Sequence, residues 1–152
     1  MSDQFTAVLG RKVVSRESAE ELGNVSHMIV DAEQRRIVAV TVGKRRKARV
    51  VDWEGFTGFG PDAVLVTAES SLREPQDARE QAAASGELEL LGRRALSDLG
   101  NLLGEIGDVS FDPETGALET ILVGGHNHPA TSLLGVGSFA VILHVDEAAE
   151  VK

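Results

Sequence analysis

The residues best suited to chemistry begin with a run of cations. Lys44, Arg45, Arg46 and Lys47, followed by Arg49, put five of the fifteen basic residues into six consecutive positions. On a hairpin tip such a run could meet RNA phosphates, an anionic membrane surface or an acidic partner. Trp53 and Phe56 follow closely and would lend aromatic faces for stacking. The plainer alternative is a solvated turn whose charges keep a sheet edge from pairing with its neighbours, with Trp53 and Phe56 in the core. The second feature is His126 and His128, which point to the same side of an extended segment and could ligate a metal or report pH. A zinc site needs three or four protein ligands; no third ligand stands nearby and the chain has no cysteine, so the expectation is that no metal is held. His27 and His144 stand alone and are expected at exposed strand positions.

Two further patterns point away from catalysis. Gly58, Gly60 and Ala63, and likewise Gly135, Gly137 and Ala140, have the spacing of a dinucleotide fingerprint, but β-forming residues follow where that chemistry requires a helix N-terminus. These glycines are read as turns into a closing strand. The carboxylates Glu17, Glu20, Glu21, Asp31 and Asp112 sit in polar loops or turns, and none is embedded in an apolar run that would raise its pKa. No Ser-His-Asp grouping repeats. The expectation is a protein with no catalytic residue, no cofactor and no small-molecule substrate.

Composition sets the frame for these residues. The chain has 152 residues, 42% hydrophobic and 26% charged, which suits one ordinary soluble domain or two small ones. No apolar run approaches the ~18 residues of a membrane span, and no basic-then-apolar leader opens the chain, so a cytoplasmic setting is expected. The net charge of −9 is uneven. Residues 1–67 carry ten Lys/Arg against nine Asp/Glu, whereas residues 90–152 carry three against nine.

The elements that hold these residues are written twice. Leu9-Gly10-Arg11 returns as Leu91-Gly92-Arg93, Leu22-Gly23-Asn24-Val25 as Leu103-Gly104-Glu105-Ile106, and Val42-Gly43 as Val123-Gly124, at an offset of 82 and then 81. Gly58, Gly60, Ala63 and Val64 answer Gly135, Gly137, Ala140 and Val141 at an offset of 77. This divides the chain into a first repeat at 7–67, an acidic, Ala-rich helical connector at 68–88, a second repeat at 89–145 and an acidic tail at 146–152.

Within the first repeat, strands are expected at 7–14 (interrupted at Gly10), 25–30, 36–42, 49–51 and 63–67, with a polar loop at 15–23 and frayed residues at 1–6. Asp31 and Asp112 occupy the turn position where aspartate caps backbone N–H groups. The interval before the last glycines is four residues shorter in the second repeat, so its fourth strand is expected to be reduced or lost. The connector helix, opened by Pro75 and ended by Gly86, has almost no large apolar residue and is expected to be exposed or lightly docked.

These blocks, in this order, resemble a tandem PRC-barrel protein. The resemblance rests on Leu9 to Lys12 with Leu91 to Arg94, Leu22 to Val25 with Leu103 to Ile106, Asp112-Pro113-Glu114-Thr115-Gly116, and Gly60 to Val64 with Gly137 to Val141. The family includes the cytoplasmic domain of the photosynthetic reaction centre H subunit and the barrel of the ribosome maturation factor. The latter pairs one barrel with a different domain, unlike the doubled unit here. The resemblance implies an all-β fold of two tandem small PRC-like β-barrels with internal pseudo-symmetry, joined by a short helical connector. It also implies a non-catalytic scaffold or adaptor that binds a protein partner or organises an assembly, with a homodimer as a further option. The alternative is an electrostatic binder of RNA or anionic membrane through residues 44–49. Whether the repeats close separately or exchange strands stays open at this level.

Overall fold

Alternating apolar residues and two aspartate-led turns fold each repeat into a six-stranded sheet. The computed structural model describes residues 2–43 and 47–145. A short strand β1 (Asp3–Gln4) and one helical turn α1 (Phe5–Val8) lead into β2 (Lys12–Ser15), β3 (Glu21–Asp31), β4 (Arg36–Val42), β5 (Arg49–Asp52), β6 (Phe56–Phe59) and β7 (Ala63–Val66). Helix α2 (Ala78–Ala84) precedes β8 (Arg94–Ser97), β9 (Leu102–Phe111), β10 (Leu118–Val123), β11 (His126–Pro129), β12 (Leu133–Val136) and β13 (Val141–Leu143). The first sheet runs β5-β4-β3-β2-β7-β6 and the second β11-β10-β9-β8-β13-β12, the same order strand for strand. Both are barrel-like, and each is built from its own repeat apart from β1, which pairs with β9.

The curl comes from one long strand in each sheet. β3 pairs first with β2 and then with β4, bending at Gly23 (φ +147°), where a Cβ would press on Val42 at 2.9 Å. Gly104 (φ +132°) does the same for β9. At the far end the aspartates cap their turns as expected. Asp31 Oδ1 accepts the N–H groups of Glu33 (2.9 Å) and Gln34 (3.0 Å), and Asp112 Oδ1 accepts that of Glu114 (2.9 Å).

These two hairpin tips join the sheets. The Ile37 N–H donates to Gly116 O (2.8 Å), and the Leu118 N–H donates to Arg35 O (2.9 Å). Ile37 and Leu118 are equivalent under the 81-residue offset, as are Arg35 and Gly116. The exchange is therefore pseudo-two-fold. Behind it, one buried cluster runs through both sheets, from Val13, Val25, Ile37 and Val64 to Ile106, Phe111, Ile121 and Val141.

Several expectations are corrected. Within the stretch expected to fray, Asp3 and Gln4 pair with Phe111 and Ser110, and Phe5 is buried edge-on to Phe111 with ring centroids 5.7 Å apart. Residues 7–14 are not one strand. Phe5 and Val8 bury the same side of a helical turn, and Gly10 (φ +86°) turns the chain into β2. β3 starts at Glu21, inside the expected loop. The fourth strand of the second repeat is kept as β11; six residues separate β4 from β5 and two separate β10 from β11, so the turn absorbs the whole deletion. Lys44, Arg45, Arg46 and the tail at 146–152 lie outside the described residues.

The connector is docked, not loose. Ala83 of α2 packs with Ile29, Ala39 and Val50 on the outer face of the first sheet. Arg73 clamps it, with Nη2 2.6 Å from Glu80 and 2.8 Å from Asp52. The Glu80 carboxyl is held below the usual carboxylate range, chiefly by its hydrogen bond from Arg73. Each lead-in thus crosses to the other repeat's sheet: β1 and α1 lie on β9, and α2 lies on β3. Among the described residues, no helix is long and apolar enough to cross a membrane.

The junction can be tested at Gly116 (φ +79°), where a Cβ would lie 2.9 Å from the Trp53 ring and 3.1 Å from Ile37 O. Gly116→Ala is expected to cost about 2–4 kcal/mol in denaturant unfolding. Gly125→Ala has a similar φ of +84° but nothing within 4 Å, and is expected to cost only about 1 kcal/mol. Equal losses would refute tight packing at the junction.

Candidate functional site: an aromatic-floored cleft between the sheets

A protein with 4% aromatic residues has gathered most of them in one place. Trp53, on a single 3₁₀ turn (Trp53–Gly55) after β5, packs against Phe59 at 5.2 Å and Phe56 at 5.7 Å, and Phe59 reaches Phe111 of the second sheet at 5.8 Å. The Trp53–Phe56 and Phe59–Phe111 pairs are edge-to-face, at 64° and 89°, while Trp53 and Phe59 are tilted at 38°. Trp53 is 7% exposed, while Phe56 and Phe59 are partly open.

Above this floor lies a cleft of about 650 Å³, lined also by Glu54, Thr57, Gly58 and the hairpin tip Asp112, Pro113 and Glu114. The tip is stiff, because Pro113 fixes φ and the Asp112 carboxylate holds the turn. Glu54 has Arg36 Nη2 at 3.7 Å; among the described residues, neither Asp112 nor Glu114 is in an ion pair. The cleft combines an apolar floor with an anionic rim, an environment suited to a cation carried on an apolar stem.

The pseudo-symmetry supplies a twin. A smaller cleft of about 350 Å³ is lined by Asp31, Ala32, Glu33 and Val136, the counterparts of Asp112, Pro113, Glu114 and Phe59, together with Arg79 and Leu88. Arg79 of α2 reaches in, with Nη2 donating to Val30 O at 2.5 Å and Nη1 3.9 Å from Asp31. In the twin, the chain's own guanidinium lies within 3.9 Å of Asp31, in a cleft that Glu33 also lines.

Of the sequence-derived binding candidates among the described residues, Trp53 and Phe56 line this cleft and the others lie elsewhere. Trp53 belongs to the cleft floor, its side chain buried against Phe56 and Phe59; Lys44, Arg45 and Arg46 lie outside the described residues. Lys47 is exposed, and Arg49 lies 3.9 Å from Glu69 beside a shallow pocket that also includes Leu22 and Leu72. His126 and His128 sit on β11, where the equivalent β5 residues are Arg49 and Val51. Among the described residues no group of three or more His, Cys, Asp or Glu could hold a metal. His27 is not an exposed strand residue. It is the counterpart of Asp108 and faces the second lead-in, with Nδ1 3.5 Å from Glu89. His144 Nδ1 lies 2.6 Å from Asp98.

Residues 3–73 match the PRC-barrel domain family model.

No curated protein matches the chain. The PRC-barrel match takes in a little under half of the chain. It opens at the first residue of β1 and closes at Arg73, whose backbone bridges Val50 on β5. The first sheet falls within the segment that matches the PRC-barrel domain model, and its β6 strand and preceding turn supply the aromatic floor. Sequence reading missed Glu54, Phe59, Glu114 and Arg79. Aligning the repeats at the 77-residue offset carries the signal, since Trp53, Phe56 and Phe59 stand opposite Ala130, Leu133 and Val136.

Burial, reinforced by the charge of His126, holds His128 below the ordinary histidine value. Below that value the unfolded chain takes up a proton that the folded chain resists, so this contribution to stability is full above about pH 6.5 and declines as the pH falls. Melting temperature is expected to drop between about pH 7 and pH 5, less steeply in His128→Asn. Parallel curves for the two proteins would refute the coupling.

Proposed function

We propose that this chain is a non-catalytic scaffold that binds a protein partner, built from the PRC-barrel domain and a second PRC-like barrel in residues 89–145. The identical strand order of the two sheets supports the second barrel. The partner presents an arginine or lysine, which enters the cleft between Trp53, Phe59, Asp112 and Glu114. The twin cleft carries this reading, because there Arg79 lies beside Asp31 and Glu33 in the same architecture. Clefts at the junction of two units are common binding sites, and about 650 Å³ is ample for one long side chain with its backbone.

Trp53 is the sole tryptophan and forms the floor, so its fluorescence reads the cleft directly. Titration with a short blocked peptide containing one arginine is expected to shift the emission saturably, and the matched glutamine peptide is not. Asp112→Asn with Glu114→Gln is expected to weaken arginine binding roughly three- to tenfold, since each partly exposed ion pair is worth well under 2 kcal/mol. Equal response to both peptides, or binding indifferent to the double substitution, would sink the reading.

A further inference from the structure

The outer faces of the two sheets follow a rule visible within the molecule. On β3, β4 and β5 the residues Ile29, Ala39 and Val50 point outward and are covered by α2 through Ala83. Their counterparts on β9, β10 and β11 are Ser110, Thr120 and Asn127, polar residues, with the Ser110 and Thr120 hydroxyls 2.6 Å apart. A sheet face is apolar where something covers it and polar where it meets water.

The outer face of β9-β8-β13-β12 breaks this rule. Register places Leu102 opposite Leu96, Leu96 beside Ile142, and Ile142 opposite Gly135, next to the bulged residue Leu134. Leu102 is 67% exposed, Leu134 51%, and at the ends of the row Leu99 is 62% and Phe139 68%. The same row of the first sheet reads Glu21, Val14, Leu65 and Thr57, with Asp62 in the place of Phe139. Both sheets share one strand order, so the fold itself does not demand apolar residues there. An exposed apolar row on one copy alone marks an interaction surface.

We propose that two copies of this chain meet through this face about a two-fold axis. The charges favour a second copy as the occupant. Along β8 the outward positions are Arg94, Leu96 and, just beyond the strand, Asp98. A two-fold axis parallel to the sheet and perpendicular to β8, passing just above Leu96, stacks the two faces, reverses the partner strand and lays each Arg94 over the partner's Asp98, with the leucine row between them. Glu105 lies opposite Arg94, and His144 lies against Asp98. The Arg94 guanidinium stacks 4.8 Å from the Phe139 ring, which holds it on this face. A face four strands wide spans roughly 20 Å, at the small end of stable interfaces, so dissociation is expected in the micromolar range. This surface is separate from the acidic cleft and does not depend on it.

Sedimentation velocity from about 1 to 200 µM tests the proposal, across the range set by such a small interface. The native chain is expected to pass from one-chain to two-chain mass as concentration rises. Leu102→Glu with Phe139→Asp grafts the first sheet's own residues onto this face, and is expected to stay at one-chain mass with an unchanged melting temperature. Arg94→Glu and Asp98→Lys are each expected to weaken self-association at least tenfold, and mixing the two variants to restore a two-chain species. A native chain that stays monomeric throughout, a graft that still dimerises, or a mixture that fails to associate would each overturn the proposal.

Discussion

Two backbone hydrogen bonds, Ile37 N–H to Gly116 O and Leu118 N–H to Arg35 O, tie the tip of one long hairpin to the tip of the other. A unit of about sixty residues buries only about 60% of its unfolded surface and is marginal alone. Pairing the tips lets two such units close over one core, from Val13 and Ile37 on one side to Phe111 and Val141 on the other. The lead-in segments reinforce the join by crossing it. Phe5 packs on Phe111, Ala83 packs on Ile29 and Val50, and Thr6 donates to Asp108. Removing either repeat would expose the other's core, so the two sheets are one cooperative structure in spite of their separate strand paths.

The same junction makes the cleft. Gly116 lets the second hairpin tip lie against Trp53, and the tip brings Asp112 and Glu114 over the aromatic floor. Pseudo-symmetry alone would make the two clefts alike. They differ because α2 precedes only the second repeat within the described residues, bringing Arg79 to one cleft, and because Trp53 and Phe59 stand where the twin has Ala130 and Val136. One cleft meets its cation within the chain. The other keeps its carboxylates facing outward over a larger apolar floor.

Much of the fold could be read from the residues. The offsets of 82, 81 and 77 mark equivalent strands, and the aspartates at 31 and 112 cap their turns as their positions predict. The misses share one physical origin: they depend on contacts distant in sequence. Asp3 and Gln4 look like a polar end until Phe111 and Ser110 are beside them, and the Ala-rich connector looks unburiable until Ile29, Ala39 and Val50 are seen to form an outward apolar patch. The shortened interval suggested a lost strand because length alone does not say whether a turn or a strand gives way. Six residues bridge β4 and β5 while two bridge β10 and β11, and the strands on either side are preserved. Within the site, the core reading of Trp53 is legible from how few aromatic residues the chain has, whereas its neighbours Phe59 and Phe111 are not, since they lie on other strands.

Two sheets of one strand order offer a physical control that a single sheet lacks. Equivalent positions share a backbone environment, so a difference in residue type reports a difference in what lies against it. Ile29, Ala39 and Val50 against Ser110, Thr120 and Asn127 show the rule, because the covering helix is present on one side and not the other. Phe139, Leu102 and Leu134 against Asp62, Glu21 and Thr57 run the opposite way, since the apolar set is the exposed one. Leaving such a row in water forgoes roughly 1 kcal/mol or more for each large side chain, which contact with an apolar surface recovers. Drift between copies would scatter such changes over both faces. Their concentration on one outward row, with Arg94 on one side of it and Asp98 on the other along β8, is what a self-complementary contact requires.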